Sequence, residues 1–151
     1  TIDTRPVEEM KPLYAIPGFC ARVGCRNATD SPLWSRHVEF VRGDSLSPHV
    51  LERVKGAVLG AHPRGVMVVL DSWHQYEHVR RELDAYSGFV TSGQYLVVQD
   101  TKLDRLRGRP SALAAVRHFM GGSLGRRLFA TDRTREYLLY SQHAEGYLRR
   151  L

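Results

Sequence analysis

The sequence predicts an α/β fold in which a largely parallel sheet ends in an antiparallel hairpin. Continuous apolar runs at residues 66–70 and 95–98 are typical of strands that are covered on both faces. Helical patterns alternate with these runs, and that alternation indicates parallel strands joined by helices. Residues 127–130 and 137–140 are two later strand candidates. The stretch between them is too short for a parallel crossover, so they should be antiparallel neighbours.

Earlier strands and one irregular segment complete this sheet pattern. Residues 1–3 resemble the end of a strand, and residues 38–41 alternate around apolar positions until Gly43 stops the pattern. Residues 8–34 carry several prolines and glycines and have no steady period. A segment of that kind is typical of a long loop or an insertion.

Serine residues mark the starts of the helices that join the strands. Helices are predicted after Ser47, Ser72 and Ser111, because each serine has the form of an N-cap residue. Gln75, three residues after Ser72, completes a capping box. Apolar residues recur at helical spacing behind each of the three serines.

Composition restricts the class of protein. The 151 residues fit one domain over residues 1–151, with 42% hydrophobic and 25% charged residues.

The formal charge is +6, but the arginines are scattered and do not alternate with aromatic residues, so a nucleic-acid partner is not expected. No apolar run approaches the roughly 20 residues of a membrane span, and no signal peptide is recognisable, which favours the cytoplasm. Cys20 and Cys25 are expected to be ordinary thiols in a reducing compartment.

Aspartates end the four predicted parallel strands and are the first candidate site residues. Ligands of open α/β sheets bind beyond the carboxyl ends of the strands, so four such side chains would share one edge. An aspartate after a strand can instead cap a turn. Asp71 and Asp100 form the sharpest pair, because two nearby carboxylates repel unless a hard cation such as Mg²⁺ lies between them. The four residues are Asp3, Asp44, Asp71 and Asp100.

Two histidines follow Asp71. His74 and His78 stand four residues apart, which would place them on one face of the predicted helix. A zinc motif of this spacing has Glu after its first histidine, and Gln75 stands there instead. His74 and His78 are therefore either surface or capping residues, or His74 is a general base beside the strand end.

Several spaced motifs resemble a known family. The stretches at residues 68–74, 78–79, 82–83 and 93–101 resemble the cephalosporin hydroxylase / rhamnosyl O-methyltransferase family of class I S-adenosylmethionine-dependent methyltransferases. The later positions that match are Ala115, Val116, Phe119, Asp132, Arg135, Glu136, Gly146, Tyr147 and Leu148. The resemblance covers residues 38–151 and the first six residues.

The resemblance implies a Rossmann-like fold that binds S-adenosylmethionine and Mg²⁺. By position, Asp3 matches the acid that holds the cofactor ribose, and Asp44 with Ser45 lies where the adenine end is met. The implied metal ligands are Asp71, Gln99 and Asp100. Because the family commonly has Glu at the position of Gln99, weaker metal binding is expected. The family's first strand and Gly-rich loop would precede Thr1, so the domain is expected to be N-terminally incomplete and inactive in isolation.

The implied function is Mg²⁺-assisted methylation of a hydroxyl group, with His74 removing the proton. The acceptor would be a sugar, a glycolipid in lipid biosynthesis or a small metabolite, and assembly into a homo-oligomer is left open. The alternative is a catalytically inactive methyltransferase fold that serves as a binding module. A basic nucleic-acid-binding protein is a third, weaker hypothesis.

Overall fold

The computed structural model describes residues 1–7, 28–61, 63–136 and 141–151. These residues form a mixed α/β structure with six strands and six α-helices. In chain order they are β1 (Ile2–Asp3), α1 (Pro32–His37), β2 (Val41–Arg42), α2 (Pro48–Ala61), β3 (Val68–Leu70), α3 (Tyr76–Tyr86), β4 (Tyr95–Val98), α4 (Leu103–Arg107), α5 (Ala112–Gly121), α6 (Ser123–Leu128), β5 (Phe129–Thr131) and β6 (Tyr147–Arg150). Internal contacts divide the chain into two compact units, residues 1–53 and 54–151.

The first unit is built on a short parallel pair, β1 and β2. The Gly43 amide donates to the Asp3 carbonyl at 2.9 Å and extends this pairing by one step. Gly43 has φ +155°, and a Cβ there would clash with Val50, which is fully buried. A glycine is therefore required where the chain turns from β2 towards α2. The predicted cap of α2 is confirmed, because the Ser47 hydroxyl accepts the Val50 amide at 3.4 Å.

The second unit contains a four-stranded sheet in the order β3-β4-β6-β5. β3 and β4 are parallel, and β6 runs antiparallel to both β4 and β5, so three of the four strands share one direction. Helices α3 and α5 pack against each other, and both supply side chains to the core of this unit. The buried core residues include Leu70, Leu83, Leu96, Val98, Val116, Phe119, Phe129 and Leu148.

The structure corrects the predicted strands at several points. Residues 127–128 belong to α6, so β5 begins at Phe129. The antiparallel partner of β5 is β6, whereas the predicted partner, residues 137–140, lies outside the described residues. The single sheet expected to carry all four strand-end aspartates is not found in the described part of the chain. β1 and β2 form one sheet, and β3 and β4 belong to another.

The long loop or insertion predicted over residues 8–34 ends in helical structure. Ser31 caps α1 by accepting the Leu33 amide, and Pro32 occupies the first turn, where its missing N–H costs nothing. Residues 8–27, which include both cysteines, lie outside the described residues, so the loop, the thiols and the single domain stay predictions. None of the helices in the described part has the length and the apolar character needed to cross a membrane.

Candidate metal and catalytic site

Asp71 and Asp100 leave the same edge of the second sheet. Parallel pairing sets Leu70 opposite Val98, and the Gln99 amide donates to the Leu70 carbonyl at 2.9 Å. Each aspartate therefore follows the last paired residues of a strand, at the carboxyl ends where open sheets bind ligands. The predicted pairing of these two carboxylates at one edge is confirmed.

His74 lies between the two carboxylates and completes a three-residue cluster. One possible ligand atom from each of Asp71, His74 and Asp100 lies within 4.8 Å of the others. His74 Nε2 is 3.5 Å from Asp71 Oδ1 and 4.0 Å from Asp100 Oδ2. The aspartate side chains are 56% and 38% exposed, whereas that of His74 is only 19% exposed. The cluster thus has two carboxylates open to solvent and a largely buried imidazole behind them.

The Nε2 atom of His74 is buried and has no hydrogen-bond partner among the described residues. A buried polar atom without a partner costs about 1–3 kcal/mol, so such an atom commonly marks a place where water, an ion or a reacting group binds. This nitrogen faces the two carboxylates, and it can accept a proton or bind a cation there.

The loop between β3 and α3 holds His74 in this position, and it differs from the predicted helix. α3 begins at Tyr76, and its N-cap residue Gln75 makes no side-chain cap. The Ser72 hydroxyl donates to Glu82 at 2.7 Å instead of capping the helix. The predicted capping box is therefore wrong, because a buried carboxylate on α3 takes the hydroxyl that would have capped it.

The same difference separates the two histidines. His74 precedes α3 and faces the aspartates, whereas His78 lies on α3 with Nε2 3.4 Å from Glu82. They do not share a helix face, so the predicted arrangement is wrong. Glu82 is only 2% exposed, and His78 and Ser72 both contact its carboxylate. Buried carboxylates are stable only when such partners are present, and the hydrogen bond from Ser72 also fastens the loop to α3.

A second contact fixes the backbone of His74. The Ser111 hydroxyl donates to the His74 carbonyl, although Ser111 was predicted to cap α5. The carboxylate of Asp104 caps α5 in its place and accepts the amides of Ser111, Leu113 and Ala114 at 2.8–3.0 Å. Because Asp104 satisfies the helix amides, the serine hydroxyl is available to hold the loop.

Gln99 and Asp100 end β4 in different ways. Gln99 is partly exposed, and its backbone amide continues the pairing with β3. Asp100 has φ +52°, and its amide donates to Nδ1 of His143 at 2.8 Å. Sequence reasoning missed His143, which stands 43 residues away, and no pattern in the sequence connects it to Asp100.

The candidate cofactor residues belong to the first unit, where Asp3 is the last residue of β1 and Asp44 follows β2. Both oxygens of Asp3 accept from the Arg5 side chain, at 3.1 and 2.8 Å. This hydrogen bonding holds the pKa of Asp3 below its ordinary value. Asp44 is exposed and accepts the Leu46 amide at 2.9 Å, and Ser45 beside it is partly buried.

Comparison with known proteins identifies the family. Residues 21–151 match the family described as Rhamnosyl O-methyltransferase/CmcI. The chain belongs to this family. The site at the ends of β3 and β4 lies within the matched residues, as does the whole of the second unit.

The chain is similar to several curated members of the family. It is 30% identical over 67 residues to the rhamnosyl O-methyltransferases of Mycobacterium bovis (strain BCG / Pasteur 1173P2) and Mycobacterium tuberculosis (strain ATCC 25618 / H37Rv). These residues are 44% of this chain and 27% of each relative. It is 29% identical over 65 residues to the enzyme of that name from Mycobacterium leprae (strain TN), of which the match covers 28%. No solved structure matches the chain.

Proposed function

We propose that this protein is an S-adenosylmethionine-dependent, Mg²⁺-assisted O-methyltransferase that acts on a hydroxyl of a sugar, a glycolipid or a small metabolite. The observation that carries the proposal is the buried, unpartnered Nε2 of His74 facing two strand-end carboxylates. Membership of a methyltransferase family supports the chemistry, and the rhamnosyl acceptor in the relatives' name supports a sugar.

The cluster fits a divalent cation. Ligands on opposite sides of Mg²⁺ lie about 4.2 Å apart, since each bond is about 2.1 Å, and a carboxylate oxygen of Asp71 lies within 4.8 Å of one of Asp100. Asp71 and Asp100 would supply two carboxylate oxygens, and Gln99 would add a neutral amide oxygen. When bound, Mg²⁺ would lower the pKa of a substrate hydroxyl.

His74 would remove the proton from that hydroxyl. Its Nε2 has no hydrogen-bond partner among the described residues, and with the ring proton on Nδ1 its lone pair would be open to accept. The contacts of Ser72 with Glu82 and of Ser111 with the His74 carbonyl hold the loop at Ser72 and at the backbone of His74. In the transfer, the substrate oxygen would bond to the methyl carbon of S-adenosylmethionine as the carbon–sulfur bond breaks, and the proton taken by His74 would then be released to solvent.

The residues of the first unit would bind the cofactor. Asp44 and Ser45 follow β2 and present polar atoms at the carboxyl end of a parallel pair, as a cofactor site in a Rossmann-like fold requires. Asp3 would accept the ribose hydroxyls alongside Arg5, because each carboxylate oxygen can accept more than one hydrogen bond.

The acceptor would meet an aromatic side chain. Trp73 immediately precedes His74 and is 66% exposed. The centroid of its ring lies 5.9 Å from that of the His78 ring. A large exposed aromatic residue next to His74 in the chain suits a ligand with both apolar and hydroxyl faces, as sugars have. This feature favours a glycan acceptor over a small charged metabolite.

The test is transfer of a labelled methyl group by the full-length protein to a panel of rhamnosyl glycolipids, free sugars and phenolic metabolites. We expect transfer to a sugar hydroxyl that is lost in EDTA and restored by Mg²⁺. Full activity in EDTA would remove the cation from the mechanism. Tight S-adenosylmethionine binding with no transfer to any acceptor would favour the binding module.

A further inference from the structure

The backbone of Asp100 adopts a conformation that requires support. The two non-glycine residues with positive φ in the described part of the chain are Asp100 at +52° and Glu145 at +60°. Residues other than glycine are sterically strained in this left-handed region of φ and ψ, and they adopt it where the surrounding structure fixes them. Asp100 carries one of the two carboxylates of the site, so whatever fixes its backbone also fixes that carboxylate.

Residues 141–146, named here the clamp segment, make the contacts that fix it. Backbone carbonyls of the clamp segment accept the amides of Val98 and Lys102 at 2.8 and 3.3 Å. The carbonyl of Ala144 accepts the hydroxyl of buried Thr101 at 2.7 Å. The residues on both sides of Asp100 are thus held by main-chain carbonyls of one short segment.

His143 supplies the contact to Asp100 itself. Its Nδ1 accepts a hydrogen bond from the Asp100 backbone amide at 2.8 Å. The other hydrogen bonds from the clamp segment to this part of the chain are accepted by backbone carbonyls. An imidazole nitrogen can accept only when it carries no proton, so the ring proton belongs on Nε2. The ring also packs edge-on against Tyr147, with centroids 6.0 Å apart, which limits its rotation.

The clamp segment is itself fastened to the second unit. Glu145 accepts two hydrogen bonds from Arg117 on α5, at 2.9 and 2.7 Å. The Glu145 amide donates to Glu136 at 2.9 Å. A side chain at Gly146 would clash with the carbonyls of Val98 and His143, so the segment lies tightly against the end of β4. These contacts keep His143 within reach of the Asp100 amide.

We propose that His143 is a positioning residue that holds Asp100 in its left-handed conformation and so aims its carboxylate at the cation. The proposal rests on the proposed function in one respect, namely that Asp100 binds a divalent cation. His143 touches neither the cation nor the substrate. It acts through a single hydrogen bond to the Asp100 amide, which no neighbouring carbonyl supplies.

Two nearly isosteric variants separate this role from simple packing. His143→Asn keeps an acceptor oxygen close to the place of Nδ1, whereas His143→Leu removes the acceptor at similar volume. The control is His118→Ala, because Nδ1 of His118 also makes a hydrogen bond, at 2.9 Å to the Tyr76 hydroxyl, away from Asp100. The readouts on the full-length protein are hydrogen exchange of the Asp100 amide by NMR and the affinity for Mn²⁺ by titration calorimetry.

We expect His143→Leu to accelerate Asp100 amide exchange and weaken Mn²⁺ binding, each by about three- to tenfold, as suits the loss of one hydrogen bond. His143→Asn should stay within about twofold of the parent, as should His118→Ala. Unchanged exchange and affinity in His143→Leu would overturn the proposal. So would a folded His143→Asn protein that behaves like the leucine variant.

The two readouts also separate this proposal from the function on which it rests. A parent protein that binds no Mn²⁺ would overturn the proposed cation site, while exchange at Asp100 would still decide whether His143 holds the backbone. Should His143→Leu fail to fold, the parent and His143→Asn decide. An Asp100 amide that exchanges in the parent as fast as an unprotected one would overturn the role of His143.

Discussion

Aspartates lie at the ends of strands in both units, but their carboxylates have different partners. At the ends of β3 and β4, Asp71 and Asp100 face a histidine nitrogen that has no hydrogen-bond partner among the described residues. At the end of β1, Asp3 is held on both oxygens by Arg5. Asp132, which follows β5, accepts from the Tyr95 hydroxyl at 2.6 Å and from the Thr134 amide and hydroxyl.

The difference teaches how to recognise a site among residues of the same type. Position after a strand brings a carboxylate to an edge, but a nearby arginine or hydroxyl can satisfy it there. A carboxylate satisfied by its neighbours stabilises the local structure. Carboxylates that face an unsatisfied buried atom are available to a ligand, and Asp71 and Asp100 are of this second kind.

The largest expected effect contrasts Asp71→Asn with Asp132→Asn in the full-length protein. Asp71→Asn should lower methyl transfer by roughly 10³-fold or more, because the cation contributes several kcal/mol to the transition state. Asp132→Asn should leave turnover within about threefold and lower Tm by roughly a few degrees, because Asp132 serves structure. Initial rates with saturating Mg²⁺ and thermal melts measure the two effects. Equal activity of Asp71→Asn and the parent would return Asp71 to a turn-capping role.

A second comparison concerns the histidine that the carboxylates face. His74→Ala should lower kcat by about 10²–10⁴-fold, as expected for loss of a general base, while Mn²⁺ affinity changes little. His78→Ala is the matched control. It removes an imidazole from the same region without touching Asp71 or Asp100, and should act mainly through Glu82 on stability. If His74→Ala instead weakened Mn²⁺ binding strongly, His74 would be a metal ligand, since a coordinated nitrogen cannot also take the proton.

The sequence predicted at which strand ends the site lies, but it did not predict the contacts that hold the site residues in place. Asp71 and Asp100 were identified because apolar runs end in front of them, and such runs are visible in the local sequence pattern. The start of α3 was misplaced because the fate of the Ser72 hydroxyl depends on Glu82, ten residues later and buried. His143 could not be found, because its hydrogen bond to Asp100 depends on how the C-terminal strand returns to β4.

The elements of the fold also divide into those that the local sequence pattern predicts and those that depend on tertiary contacts. Strands β3 and β4 and helices α2 and α5 were predicted, since each combines a long apolar pattern with a clear boundary. The strand predicted over residues 127–130 began too early, because short apolar runs do not distinguish a strand from the last turn of a helix. β6 (Tyr147–Arg150) was not predicted, because its two arginines interrupt the apolar pattern that is typical of a core strand. Its place between β4 and β5 is fixed by tertiary pairing.

A smaller effect follows from the pKa of Asp132. Hydrogen bonds from the Thr134 and Tyr95 hydroxyls lower the pKa of Asp132 from 3.8 to about 2. A carboxyl group with a lowered pKa in the folded state contributes stability that is fully present above pH 3.8 and is lost as pH falls through about 2. The Tm difference between the parent and Asp132→Asn should therefore be constant near neutral pH and shrink below pH 3.8. A difference that grows on acidification would contradict this assignment.

The smallest expected effect comes from Gln99→Glu, which adds a negative charge at the residue before Asp100. Glutamate has the same length as glutamine and adds a negative charge next to Asp100. Without a cation the added charge should repel Asp71 and Asp100 and lower Tm slightly. With Mg²⁺ it should bind the ion several-fold more tightly, because affinity rises with the number of charged ligands.

These opposite effects make the change in Tm on adding Mg²⁺ the sensitive measurement, since ligand binding stabilises the folded state in proportion to RT ln(1 + [L]/Kd). Gln94→Glu is the control. It makes the same chemical change just before β4 begins, whereas Gln99 follows its end. We expect the Mg²⁺-induced rise in Tm to increase in Gln99→Glu and to stay at the parental value in Gln94→Glu. If both variants responded alike, general electrostatic attraction of the cation would explain the gain, and Gln99 would have no place among the ligands.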